Sequence, residues 1–273
     1  MPHAVINGAR LWFEVRGSGE PLLLHHGYTA SRVNWAPVAD RLDERFQVIL
    51  MECRGTGESE HTPDGYTLEQ YAADVVGLLY PLGLDRVTYA GHSMGGGIGY
   101  RLALDHPGRL ERLILMAPIP ADGIGPIDPV MRQQRLEERR RQDREGLLAR
   151  YRAMRFRDDV ETDAWFEDRV RHILTVSDGH FEQGAESMAA LAVGHRLGEI
   201  TMPALMIAGA VDSLLAANLQ DFARLPNATL EVLSRAGHEV AVHEPDRVAE
   251  VIAAFMTHGP VTAATLMTRA ASL

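Results

Sequence analysis

The stretch YAGHSMGGGIGY, residues 89–100, sets Ser93 between Gly91 and Gly95 and follows it with Gly96, Gly97 and Gly99. Three glycine-loop chemistries compete for such a run. A phosphate-cradling Walker A loop needs Lys and then Ser or Thr after its glycines, but Gly97 leads into Ile98 and Gly99 with no lysine nearby. A dinucleotide fingerprint begun at Gly95 needs a small residue where Tyr100 stands, and one begun at Gly97 needs it where Leu102 stands. What remains is Gly91-His92-Ser93-Met94-Gly95, the G-x-S-x-G pattern. A serine on a sharp turn between strand and helix needs residues without bulk two positions to either side, because backbone segments crowd there. Its hydroxyl then projects above the sheet at the positive end of the following helix.

The flanks have the required order. RVTYA, before the elbow, reads as a buried strand, and the run from Met94 to Asp105 reads as a helix stopped by Pro107-Gly108. Upstream, Asn7-Gly8 between AVI and ARLWFEV predicts a tight hairpin, because both central residues of a type I′ turn need positive φ. PLLLHHG and FQVILMECRG read as further buried strands that end in loops, with an amphipathic stretch from Trp35 to Leu42 between them. TLEQYAADVVGLLYPLG carries apolar residues at helical spacing behind Thr67 as N-cap, and LERLILMAP is the next strand. Strands that alternate with helices imply parallel pairing with right-handed crossovers. The fold expected is therefore α/β, a mostly parallel eight-stranded sheet with helices on both faces.

The rhythm breaks after strand 6. Residues 119–200 contain no strand-like run and read as a helical cap inserted into a core formed by 1–118 and 201–260, with 261–273 as a patternless, mobile tail. Within the insertion, Phe166, Val170, Ile173 and Leu174 make one apolar helix face. RQQRLEERRRQDREGLLARYRAM mixes Arg with Glu and Asp and reads as a solvated helix face.

Composition excludes several function classes. With 27 basic and 37 acidic residues, the chain of 273 has a net charge of −10, the wrong sign for a nucleic-acid surface. Cys53 is the single cysteine, so there is no intrachain disulfide and no cysteine set for zinc; it reads as a buried, inert thiol. MPHAVINGARLW lacks a basic start leading into an apolar run, and no segment is apolar for the roughly 18 residues a membrane span needs. A cytoplasmic protein without a membrane contact, monomeric or homodimeric, is the expectation.

A serine needs a base to take its proton, and the base needs a carboxylate to fix its tautomer. Among twelve histidines, His238 alone follows a predicted strand, TLEVLSRAG, and precedes the last helix; Asp212 follows the strand ALMIAG. Both positions lie at carboxyl ends of strands, where open α/β sheets place their sites. His195 and His243 lack such a position and read as surface or pocket-lining residues, and Asp122, after LILMAP, is the fallback acid. The oxyanion of a tetrahedral intermediate needs preorganised N–H donors. Met94, next to the serine, would supply one amide, and Tyr28, after the His26-Gly27 turn, the other.

HHGYTAS, ECRGTGES, GHSMGG, GAVD and AGHEVAVHEPDRV, in this order, resemble the α/β-hydrolase superfamily over residues 3–258, in its branch of small serine esterases with a helical cap. The resemblance implies a triad of Ser93, Asp212 and His238 that cleaves an ester or lactone of a small, moderately apolar molecule, without cofactor or metal. Serine at 93 disfavours the epoxide hydrolases and haloalkane dehalogenases of this fold, which use aspartate there. Two departures stand out: Glu52 replaces the usual Asp, altering a loop hydrogen bond, and His25 replaces an aliphatic residue. His25, Trp35, Trp165, Phe166, Met188 and Leu191 are the substrate-pocket candidates, each weighed against ordinary packing. The same triad also serves carbon–carbon bond hydrolases, perhydrolases and acyltransferases, and a receptor or pseudoenzyme on this fold is the reading from another class.

Overall fold

The computed structural model describes residues 2–262 and 265–267, so most of the expected tail lies outside the described residues. Its sheet is formed by β1 (His3–Ile6), β2 (Ala9–Arg16), β3 (Pro21–His25), β4 (Gln47–Met51), β5 (Val87–His92), β6 (Leu110–Met116), β7 (Ala204–Gly209) and β8 (Ala228–Leu233). The eight strands run in the order β1-β2-β4-β3-β5-β6-β7-β8. β1, β2 and β4 pair antiparallel, and every pairing from β4 through β8 is parallel. Asn7 and Gly8 make the β1–β2 turn with φ of 49° and 79°, as the hairpin signal requires.

Helices cover both faces. α1 (Ala36–Leu42) and the C-terminal α10 (Pro245–His258) pack on one, where Leu22, Leu24, Val48, Leu50 and Ile114 meet Val38, Val248 and Ile252. α2 (Leu68–Leu79) and α3 (Met94–Asp105) pack on the other, against Leu23, Ile49, Tyr89, Leu113 and Leu115. The alternation of these strand residues between two apolar clusters is the period-two geometry of a sheet buried on both sides. α3 approaches closely because its early turns are glycines: a Cβ at Gly97 would lie 2.6 Å from Ile119 Cδ1.

Between β6 and β7 lie α4 (Pro129–Arg140), α5 (Arg144–Ala153), α6 (Asp163–Thr175) and α7 (Asp178–Ala189). The arginine-rich stretch is two helices rather than one: Gln142 has φ of 55°, and Asp143 accepts from the Gly146 amide at 2.9 Å to cap the second. α8 (Leu215–Phe222) follows β7, and the short α9 (Val240–His243) precedes α10. Among the described residues, no helix is long and apolar enough to cross a membrane.

Candidate active site

Ser93 ends the extended run of β5 and starts α3 with φ 55° and ψ −114°, a conformation costing a residue with a side chain about 1–3 kcal/mol. Its surroundings hold it there. The Ser93 amide donates to Met116 O at 3.0 Å, and Ser93 O accepts from the amides of Gly96 at 2.8 Å and Ile119 at 3.1 Å. At Gly91 only glycine fits, since a Cβ would stand 2.1 Å from Gly95 O.

The loops after β7 and β8 bring the other two side chains in. His238 Nε2 lies 2.9 Å from Ser93 Oγ, and His238 Nδ1 lies 2.9 Å from Asp212 Oδ2. Asp212 Oδ1 accepts from the Leu214 amide at 3.0 Å, which orients the carboxylate. Burial alone would depress the His238 pKa, but the hydrogen bond and charge of Asp212 outweigh it and raise it above 6.5. Asp212 moves the opposite way: burial pushes it up, yet His238 and the Leu214 amide hold it below the ordinary carboxylate value. His92 fixes the backbone of His238 by donating Nε2–H to its carbonyl at 2.8 Å; burial lowers the His92 pKa to about 4 and keeps it neutral.

Among the described residues, neither the Tyr28 nor the Met94 amide has a backbone or side-chain acceptor. Met94 follows the serine in the chain and Tyr28 shares its cavity wall, so these two N–H groups are the candidate oxyanion donors. The Tyr28–Ala30 loop is clasped by the inserted helices. Tyr28 donates its hydroxyl to Phe181 O, Arg169 donates to Thr29 O, and His172 Nε2 donates to Ala30 O at 2.8 Å. His180, buried and held neutral with a pKa lowered to about 3, accepts from the Thr29 amide at 3.3 Å and meets Tyr71 Oη at 2.7 Å. Nothing local in the sequence marks His180 or His172, because each acts on a loop some 140 to 150 positions away.

Several pocket candidates lie elsewhere. His25 is fully buried beneath the elbow, and the bonds there form one directed chain: Cys53 Sγ at 3.0 Å from its Nε2, its Nδ1 at 2.9 Å from Tyr89 Oη, and Tyr89 O–H on Gly95 O at 2.8 Å. A buried imidazole with both nitrogens engaged braces the backbone instead of lining the pocket. Trp35 is also fully buried and donates Nε1–H to His25 O at 2.9 Å, in the α1 layer below the sheet. Trp165 and Phe166 pack edge to face with ring centroids 5.1 Å apart, against Leu147, Leu148 and Val170. Neither lines the cavity, whereas Arg169 and Ile173, about one and two turns further along α6, do. Leu191 is buried in the core; Met188 does line the cavity.

His243 is neither at the surface nor in the pocket. It is buried, accepts from the Gly237 amide at 3.1 Å, and has Nε2 at 3.2 Å from Glu161 Oε1. His195 is exposed. The fallback acid Asp122 pairs with Arg224 at 2.7 Å, leaving Asp212 as the partner of His238. Glu52 is buried and takes the Glu58 amide at 2.8 Å and Arg32 at 3.0 Å, a loop-bracing role. His25, His26 and Cys53 bring three metal-ligating atoms within 4.8 Å. Their donors are already engaged, since His26 Nε2 accepts from the Cys53 amide at 3.1 Å and His26 Nδ1 donates to Gly27 O at 2.8 Å.

Ser93 and His238 open onto a cavity of about 410 Å³ under the inserted helices. Ile124, Ile173, Phe181 and Met188 supply apolar wall, but Arg132, Arg135, Arg139, Arg150 and Arg169 line it too. The reading of the arginine-rich run as a solvated face holds for Arg140, Arg141 and Arg144, which are exposed, and is corrected for Arg132, Arg135, Arg139 and Arg150, which line the cavity. The sequence could not show this, because which face of a charged helix looks inward depends on how the insertion docks.

Residues 20–245 match the family model described as the alpha/beta hydrolase fold. The chain belongs to the α/β hydrolase fold family. It is 29% identical over 265 residues to a 2-hydroxy-6-oxononadienedioate/2-hydroxy-6-oxononatrienedioate hydrolase of Dechloromonas aromatica (strain RCB), covering 89% of each chain. Among solved structures, the enol-lactonase from Burkholderia xenovorans LB400 superposes with a TM-score of 0.84 at 25% identity, over 94% of this α/β hydrolase and 100% of the lactonase. A thermophilic esterase from Thermogutta terrifontis superposes with a TM-score of 0.79 at 26% identity, over 93% and 97% of the two chains.

Proposed function

We propose that this α/β hydrolase cleaves an ester or lactone of a small molecule through an acyl-enzyme on Ser93. The observation that carries the reading is the unbroken chain Ser93 Oγ, His238, Asp212, with links of 2.9 Å and 2.9 Å, at the floor of a cavity beside two unpaired amides. Ser93 Oγ attacks the carbonyl carbon while His238 Nε2 takes the hydroxyl proton, and Asp212 stabilises the imidazolium. The oxyanion rests on the Tyr28 and Met94 amides. Collapse breaks the bond to the alkoxide, which leaves with the proton from His238. Water then repeats the sequence on the acyl-enzyme, giving the acid and restoring Ser93.

The lactonase and the esterase among the relatives support this bond type. One relative favours a second reading: the Dechloromonas hydrolase acts on a compound whose name contains two carboxylates, a ketone and an enol but no ester. The same triad would then release an enolate carbon in place of an alkoxide.

A fluorophosphonate probe followed by peptide mapping tests the common core of both readings. Label on Ser93, lost in Asp212→Asn and His238→Ala, together with many turnovers of a short p-nitrophenyl ester, is the expected result. Label on another serine, or full-rate turnover by Ser93→Ala, would overturn it. Single turnover without release would point to the receptor class. Ester turnover set against cleavage of a vinylogous 1,5-diketone distinguishes the two bond types.

A further inference from the structure

We infer that the cavity above Ser93 is built for a substrate that carries a carboxylate apart from the carbonyl under attack, and that Arg135 and Arg169 bind that carboxylate. The inference rests on the hydrolase reading of the same cavity and adds the substrate class to it.

Five arginines and a single acid, Glu138, line this cavity, in a chain whose net charge is −10. A wall with the opposite bias to the rest of the molecule is not what general solubility produces. Three of the five are balanced: Arg132 by Glu186 at 2.6 Å, Arg139 by Asp178, and Arg150 by Glu138, the one lining acid. The other two form no ion pair among the described residues. Among the described residues Arg135 has no carboxylate within 4.0 Å and no hydrogen bond, while Arg169 spends its donors on neutral oxygens, Thr29 O, Tyr28 O and Thr29 Oγ1. Glu239, buried and held anionic, acts on Arg169 from beyond ion-pair distance without bonding to it; its carboxylate takes the Asn34 side-chain amide at 2.6 Å.

Arg169 is half-buried and so more weakly screened than a surface cation, whereas Arg135 is exposed where it lines the cavity; the planar fork of either matches a carboxylate. Arg139, Arg135 and Arg132 also act electrostatically on the Tyr28 phenol, and Tyr28 lines the same cavity as Ser93. α4 contributes Arg135 and α6 contributes Arg169, so the two cations come from different elements and converge on one volume that also holds Ser93 and His238. An anion held there gains from both, and a neutral isostere from neither.

Calorimetric titration of the full chain with glutarate, glutaramide and inorganic phosphate tests the inference. Glutarate should bind about tenfold more tightly than glutaramide, the scale of a charge-assisted hydrogen bond, and more tightly than phosphate. Arg135→Gln and Arg169→Gln should each remove most of that preference. Arg135 is exposed on α4, so its variant reads the subsite even if Arg169→Gln, which also releases Thr29 O, disturbs the loop. Equal affinity for glutarate and glutaramide, tighter binding of phosphate, or a preference untouched by both substitutions would overturn the inference. None of these ligands carries an ester, and the titration reads binding without turnover, so this failure is separate from failure of Ser93 to take the fluorophosphonate.

Discussion

An alanine at position 91 would put its Cβ 2.1 Å from Gly95 O, 2.3 Å from Gly95 C and 2.8 Å from Gly96 N. All three are backbone atoms, so no rotamer change relieves the clash. Real Cβ atoms stay beyond 3.0 Å, and the gap must therefore widen by about 1 Å. Gly95 has nowhere to retreat: a Cβ there would already be 2.7 Å from His25 O and 2.8 Å from His26 O, and its carbonyl takes the Tyr89 hydroxyl proton. The displacement falls on the elbow and on Ser93. Misplacing a reacting group by about 1 Å costs on the order of 100-fold in rate. Backbone overpacking costs about 1–3 kcal/mol, a few degrees of melting temperature for a chain of this size. kcat/KM for p-nitrophenyl acetate and calorimetric melting, measured for Gly91→Ala beside Gly108→Ala, make the check, because a Cβ at Gly108 meets nothing within 4 Å. Wild-type kcat/KM and melting temperature in Gly91→Ala would refute the steric reasoning.

His238 must be neutral to accept the Ser93 proton, and its pKa is raised, so kcat/KM should climb with pH about a midpoint above 6.5. Asp212→Asn should move that midpoint down; His92 and His180, lowered to about 4 and about 3, stay neutral across the range. A wild-type midpoint below 6.5 would count against the Asp212–His238 pairing. Cys53 is buried, and burial pushes its thiol well above the ordinary value, so a thiol reagent should label it only after denaturation. Asp74→Asn should destabilise the fold by about 3–5 kcal/mol, read from denaturant unfolding, because it leaves Arg54 buried without its bidentate partner at 2.7 and 2.8 Å.

The sheet, the elbow and the chain order of serine, acid and histidine were legible because each rests on local patterns: strand runs, glycines where bulk is forbidden, and polar residues just past strand ends. Asp212 needed only its place after β7. The pocket wall was not legible by the same means. Phe166 and Arg169 sit three positions apart on α6, and the larger apolar residue went to the helical cluster while the charged one faced the cavity. Its place at the end of β3 leaves His25 between a pocket contact and a packed role, and its side chain takes the second, turning under the elbow toward Tyr89 and Cys53. Such choices depend on docking between segments, which periodicity within one segment does not encode.

The grip of Tyr28, Thr29 and Ala30 by α6 and α7 bears on how this protein could be re-engineered. An exchange of the helices over the sheet would treat them as a separable module. Here the residues that hold the candidate oxyanion loop in place, Arg169, His172, His180 and the Phe181 carbonyl, belong to the part that would be exchanged. A chimera that keeps Ser93, Asp212 and His238 but imports foreign helices would inherit an intact relay and an unsupported Tyr28 amide. Transplants should therefore carry residues 28–30 together with 169–181 as one unit.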